Sequence, residues 1–386
     1  MKHTFLQESE TKKALADFII RAERLSMGKE CEAFEKKFAN YQGRKYAVLF
    51  NSGGSANLAM IQALKNLGKI RNDDKAGFSA ITWSTNTMPL IQLGLKPIPL
   101  DCEPSILNVT LKNILDTLQR HDLKLIFLTN VLGLTGDLSN IKKLCDEKGI
   151  LILEDNCESL GTELSDGKAG NFSIASSFSF FVAHHMSTIE GGMVCTDDES
   201  FYEMLKIVRA NGWDRNLDDE QKVKWRKAFN IKSEFEASYT FYDLGYNLRP
   251  TEITGFLGQY QMQFLDENIQ TRQRNFLRIQ KAVEMNNDFV PLNHTHIPLL
   301  SGFAFPFIGK TPDLREKYIQ KFIKAGIEIR PLIAGNIQRQ PFYKKYDENE
   351  YQLNGADYLH ECGFYTGNYP ELTEADLLLI EDCLKK

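Results

Sequence analysis

Short apolar runs separated by amphipathic stretches fill the first half of this chain, and they leave it few ways to fold. The runs stand at 46–50, 123–128 and 150–153, and the stretches at about 57–66, 85–93, 111–119 and 137–147. A strand covered on both faces reads as an unbroken apolar run, whereas the helix that covers it repeats its apolar residues about every 3.6 positions. The alternation predicts βα units around a mostly parallel sheet, an α/β architecture. A chain of 386 residues exceeds the size at which a single core keeps growing, so a second unit is expected.

The remaining segments place that unit. Leu15, Phe18, Ile19, Phe34 and Phe38 fall at helical spacing within 11–41, and Ser26-Met27-Gly28 breaks the pattern into two helices. Residues 173–195 read as strand-like segments around Gly191-Gly192, followed by a helix near 198–209 and a polar surface excursion at 214–238. A long helix is predicted over 250–284, beginning after Pro250. FAFPFI (303–308), a helix at 311–325, IEIRPLI (327–333) and a helix at 372–384 make a compact α+β unit. The expected division is a large α/β domain over 1–250 and a smaller C-terminal α+β domain over 251–386, with the N-terminal helices free to pack on the latter.

Charge and cysteine usage narrow the function. A net charge of −5 with both signs interspersed offers no basic stripe for a phosphate backbone, which disfavours nucleic acid. The opening MKHTFLQESETKK lacks an apolar signal core, and no apolar run approaches the roughly 20 residues of a membrane span, so a cytoplasmic protein without a membrane partner is expected. Seven scattered cysteines cannot all pair within one chain, and neither CxxC nor HExxH occurs, which argues against disulfides and a metal site. The cysteines read as small buried hydrophobes.

Four places carry candidate chemistry. NSGGSANL (51–58) follows a strand and opens a helix, where backbone N–H groups with Ser52 and Ser55 can cradle an anion; read alone it is also an ordinary turn. LILEDNCES (151–159) sets Asp155 and Glu158 just past a strand, at the sheet edge where α/β proteins bind ligands, although a solvated loop also ends in acids. Trp83 can cover a flat ring or pack in the core. SSFSFFVAHHMSTIEGGMV (176–194) places His184 and His185 side by side between strand-like runs; on a strand they face opposite ways, so one at most serves a given site.

In their order and spacing, the SGGSA turn, DNCESLG, the Ser-Phe run before EGG, GYNLRP (245–250) and AGIEIRPL (325–332) resemble the sugar-aminotransferase family of fold-type-I pyridoxal phosphate enzymes. The resemblance spans nearly the whole chain. In that family the residue six before the Glu of EGG is the lysine that bonds the cofactor; here it is His184, and an imidazole cannot make that bond. This departure is similar to the His-bearing branch of nucleotide-sugar 3-dehydratases. A related branch adds C-terminal cysteines for an iron–sulfur cluster, but only Cys362 and Cys383 follow Cys195 here.

The resemblance implies pyridoxal or pyridoxamine phosphate held without a covalent bond, glutamate as amino donor, and an NDP-4-keto-6-deoxyhexose, GDP-linked first, as substrate. It implies that His184 is the acid/base, that Asp155 meets the pyridine nitrogen, that Glu158 lies near O3′ where aminotransferases commonly have Gln, and that Trp83 stacks on the ring. It gives the phosphate to Gly54, Ser55 and Ser179, with Asn247 reaching over from the second subunit of a homodimer. Arg249, Arg330, Asn211 and Arg215 are its substrate candidates, Asn211 standing where members of the branch carry a second His before Gly-Trp. Two rival readings stay open: an aminotransferase that leaves the amine on the sugar, and a homologue that binds cofactor without catalysis.

Overall fold

A computed structural model describes residues 3–386. Seven strands, β1 (Tyr46–Phe50), β2 (Lys75–Ser79), β3 (Lys96–Leu100), β4 (Leu125–Thr129), β5 (Leu151–Asp155), β8 (Ala175–Ser179) and β9 (Gly192–Thr196), form one sheet in the order β1-β9-β8-β5-β4-β2-β3. Between β5 and β8 a two-residue pair, β6 (Glu163–Leu164) and β7 (Gly167–Lys168), makes a separate hairpin. Only β9 runs against the others in the large sheet. β2 and β3 escape the apolar-run signal for identifiable reasons. β2 is KAGFS, and β3 is KPIPL at the sheet edge, where proline's missing N–H costs no ladder bond.

β10 (Ala304–Ile308), β11 (Ile329–Pro331) and β12 (Gly363–Gly367) form an antiparallel sheet in the order β10-β12-β11. Its core is continuous with loops leaving the large sheet: Ala80, Ile81, Val131 and Leu132 pack in one cluster with Phe276, Phe305, Phe307 and Phe364. The two sheets thus meet across the ends of β2 and β4. The architecture is the α/β one expected, with a smaller C-terminal α+β unit.

The N-terminal pair folds as Glu8–Arg21 and Lys29–Gln42, broken at Gly28 as the sequence predicts. Glu252 caps the second helix from a distance, its carboxylate accepting from the N–H groups of Gly28, Glu30 and Cys31 at 2.7, 3.0 and 3.2 Å. The two helices approach closely because Gly255 and Gly258 lie between them. A Cβ at Gly255 would sit 2.4 Å from the Cys31 nitrogen, and one at Gly258 would sit 2.3 Å from the Phe34 ring. The predicted long helix over 250–284 is two: Glu252–Gln261, started by the Thr251 cap, then a 3₁₀ turn at Met262–Phe264, then Leu265–Glu284. No helix among the described residues is long and apolar enough to cross a membrane.

Candidate active site

The C-terminal ends of β1, β2, β4, β5 and β8 converge on one edge of the large sheet, the place where open α/β sheets bind ligands. From β1 the chain turns through Ser52 into helix Gly53–Asn66. The Ser52 hydroxyl accepts from the Ser55 N–H at 3.0 Å, leaving the Gly53 and Gly54 N–H groups with no intrahelical acceptor. Ser179, at the end of β8, lies directly against this turn. A Cβ at Gly53 would be 2.7 Å from the Ser179 Cβ and 3.1 Å from the Cys157 Sγ, so only glycine lets three strand ends meet here. Gly54, Ser55 and Ser179 are therefore neighbours, as expected. Cys157 departs from the expectation for the cysteines: it is partly exposed at this edge, whereas the other six are buried.

Asp155 closes β5 and is only 4% exposed. Its Oδ2 accepts from the Asn57 and Asn86 side-chain amides at 2.8 and 2.7 Å, and its Oδ1 accepts from the Cys157 N–H at 2.9 Å. The Ser177 hydroxyl in turn donates to the Asn57 Oδ1 at 2.6 Å. Three donors and, among the described residues, no cation hold this buried carboxylate in place. Neither Asn57 nor Asn86 was singled out by motif spacing. Asn57 lies inside NSGGSANL and Asn86 three residues after Trp83, and an amide within reach of a strand-ending acid is the signal that could have found them.

Glu158 lies three residues beyond Asp155 and is partly buried. Burial pushes its carboxyl up to about 8; the Leu132 N–H, donating to Oε2 at 3.0 Å, works against that rise and the Asp155 charge adds to it. Leu132 holds a left-handed φ of 56°, uncommon for a leucine and costing about 1–3 kcal/mol. Its carbonyl accepts from the Phe303 N–H at 3.0 Å, so this strained residue ties Glu158 to the loop before β10.

His184 sits on a turn between β8 and β9 and not on a strand, which corrects the strand geometry expected for the histidine pair. The turn closes through the His184 N–H to the Phe181 carbonyl at 2.8 Å. The imidazole packs 5.4 Å from the Phe303 ring, and its Nδ1 is buried with no protein partner. Burial lowers its pKa to about 4, with the Asp155 charge raising it and the Arg272 charge lowering it further. The ring is therefore neutral near pH 7. His185 turns inward, fully buried, with Nε2 at 3.0 Å from the Ser301 carbonyl, so one histidine faces the cleft and the other is structural.

Trp83, 57% exposed where the chain leaves β2, is not core packing; its indole stands free at the same edge. Arg330 is exposed on β11 and paired with Glu328 at 2.5 Å, while its charge and that of Glu158 both reach Tyr365, which spacing did not reveal. Tyr365, Phe303 and Arg330 line a cleft of about 460 Å³ beside Ala183. Asn211, Arg215, Asn247 and Arg249 are exposed. Among the described residues, none of the four hydrogen-bonds to the group around Asp155 and His184. Asn247 accepts from the Arg249 Nε at 3.1 Å, and Arg215 lies over the Trp213 ring at 5.3 Å. Lys168, the nearest lysine upstream of His184 in sequence, is turned to the Tyr41 carbonyl at 2.7 Å.

The chain matches known proteins over nearly its whole length. A GDP-4-keto-6-deoxy-D-mannose 3-dehydratase of Yersinia pseudotuberculosis is 35% identical over 356 residues, 91% of this chain and 89% of that protein. Its namesake from Escherichia coli O55:H7 is 33% identical over 91% of this chain and 90% of that protein. A crystal structure of GDP-4-keto-6-deoxymannose-3-dehydratase, a histidine-to-asparagine mutant with bound GDP-perosamine, superposes with a TM-score of 0.91 at 31% identity, covering 99% of each chain. Another of that enzyme, with a trapped PLP–glutamate geminal diamine, gives 0.89 at 31% identity, covering 97% of each. The family model matches residues 6–385, and this chain belongs to the DegT/DnrJ/EryC1/StrS aminotransferase family.

Proposed function

We propose that this protein is a pyridoxal/pyridoxamine phosphate-dependent 3-dehydratase that removes the C3 hydroxyl of a GDP-linked 4-keto-6-deoxyhexose, with glutamate as amino donor. The observation that carries the reading is His184: a neutral imidazole with an unpartnered buried Nδ1 stands where the family's lysine is expected. The residues present suit the cofactor. They supply a helix N-terminus whose Gly53 and Gly54 N–H groups are open to a phosphate, a buried carboxylate fixed by two amides, and an exposed indole. Pyridoxamine phosphate, when bound, supplies an amine for the C4 ketone and an electron sink that lets the C3 oxygen leave.

The chain's own side chains do the rest. Gly54, Ser55 and Ser179 would hold the phosphate, Asp155 would keep a proton on the pyridine nitrogen, and Trp83 would cover the ring. Glu158, protonated near neutrality, would donate to the ring's O3′. His184 would take a proton from the cofactor carbon that carries the amine and deliver it to the oxygen leaving C3. The balance is one glutamate oxidised to 2-oxoglutarate, one ammonia released and one oxygen lost from the sugar.

The test is an incubation of purified protein with pyridoxal phosphate, glutamate and GDP-4-keto-6-deoxymannose. One ammonia per sugar and a product lighter by one oxygen are expected. Nitrogen retained on the sugar would make the enzyme an aminotransferase, and an unchanged sugar would leave only cofactor binding.

A homodimer completes this reading, and an uncovered apolar surface supports it. Phe235 and Tyr239 are 90% and 79% exposed, and Val223, Phe229, Phe241 and Leu244 are exposed around them. The excursion predicted as merely polar thus carries helices Asp219–Ala228 and Glu234–Ala237 with apolar side chains outward. Trp213 stacks 5.7 Å from Tyr239, beside Asn211 and Arg215, and Asn247 bridges Ala210 nearby. Residues that do not touch their own chain's Asp155 group would then serve the partner's. Sedimentation is expected to give twice the 44.1 kDa chain mass; a monomer active at the same dilution would refute the shared site. A nucleotide-sugar substrate supports a cytoplasmic location for the enzyme.

A further inference from the structure

Arg272 is 1% exposed on helix Leu265–Glu284, and no carboxylate is bonded to it among the described residues. Its Nε donates to the Asn268 Oδ1 at 2.8 Å, and its Nη1 donates to the Phe303 carbonyl at 3.1 Å and to the Asn368 carbonyl. Asn268 passes the contact on, its amide donating to the His185 carbonyl. Asn368 closes the other side, donating to the Arg272 and Gly302 carbonyls at 2.9 Å each. Phe303, so held, lies 5.4 Å from the His184 ring and 6.2 Å from that of His185. A buried cation without a paired anion is costly to a fold, and neutral carbonyls only partly offset its lost hydration. Its position explains what it does. Its acceptors are Asn268, which bonds the turn carrying His184, Phe303, whose ring packs on His184, and Asn368, which braces the loop before Phe303.

We propose that Arg272 is the positioning residue of the His184 base, clamping the 183–186 turn through Asn268 and the Phe303 ring through its backbone. The unpaired charge has a second effect on the same imidazole. Two charges face His184: Asp155 from the end of β5 favours its protonated form, and Arg272 opposes it. His185, on the same turn, is held neutral by burial and by Arg272. Glu371 acts on Arg272 itself, sustaining a guanidinium that burial lowers to about 10. Arg272 thus keeps the base both in place and ready to accept a proton.

The proposal rests on His184 being the base, so one readout is independent of turnover. Diethyl pyrocarbonate modifies only neutral imidazole, and tandem mass spectrometry of the cofactor-free full-length chain follows modification of His184 against pH. Arg272→Met is expected to move the His184 midpoint upward by about one pH unit or more and to lower kcat on the GDP-keto sugar about tenfold with KM little changed. Arg272→Lys is expected to keep the midpoint while losing part of kcat, because the charge stays and the fork is lost. A folded Arg272→Met protein with an unmoved midpoint and unchanged kcat overturns the proposal. Should Arg272→Met not fold, Arg272→Lys and Asn268→Ala decide: a fall in kcat without a change in KM supports the clamp, and unchanged kcat in both overturns it. Failure of the dehydratase reading alone would leave the midpoint shift intact.

Discussion

Replacing His184 with asparagine is expected to slow dehydration by about 10²–10⁴-fold, the range a positioned acid/base contributes. Asparagine fills much of the same space against Phe303 but cannot carry a proton between two atoms. The anion cradle and Asp155 lie on other strands, so cofactor and sugar should still bind, and the loss should fall on kcat rather than KM. Single-turnover ammonia release measures it; a variant within tenfold of wild type would remove His184 from the mechanism. The pH profile of kcat/KM gives the same assignment independently. His184 is the base only above about 4, and Glu158 can donate to O3′ only below about 8, so activity should fall on the acid side as the imidazole protonates and on the alkaline side as the carboxyl ionises. The asparagine variant should lose the acid limb and keep the alkaline one.

Asp155→Asn is expected to cost about 10²–10³-fold in the same assay, as does removal of a single preorganised electrostatic contact elsewhere. Two effects combine. An amide holds no charge against a protonated ring nitrogen, so the electron sink weakens. The surroundings are also built for an anion: Asn57 and Asn86 both donate to Oδ2 while the Cys157 N–H donates to Oδ1. An asparagine must turn its own NH₂ toward one of these donors, at about 1–3 kcal/mol for the unsatisfied group. The cofactor's visible spectrum and its dissociation constant should both change. If neither moves, Asp155 does not meet the ring.

The strand ends were legible in the sequence because a covered parallel strand and its helix leave opposite apolar periods. That set Ser52 just after one strand and Asp155 at the end of another, whereas Ser179 was legible only through the family resemblance. β3 was not legible: its prolines argue against a strand except at an edge, and edge position depends on strand order, which no local pattern carries. His184 was identified by its count from Glu190, but its neutrality was not readable, since it depends on Phe303 and Arg272, more than a hundred and about ninety residues further on. Nor was Tyr365, which reaches the cleft only through β12 and the packing of the small sheet on the large one. Motifs reveal what lies on one loop. A charge environment built from four segments is a property of the fold.

Leu132 bears on how such a protein could be altered. An engineer seeking heat resistance would pick its left-handed backbone first, since glycine there removes a local penalty. The same freedom would let the peptide that grips Glu158 on one side and Phe303 on the other wander. The hardier molecule would be the poorer catalyst.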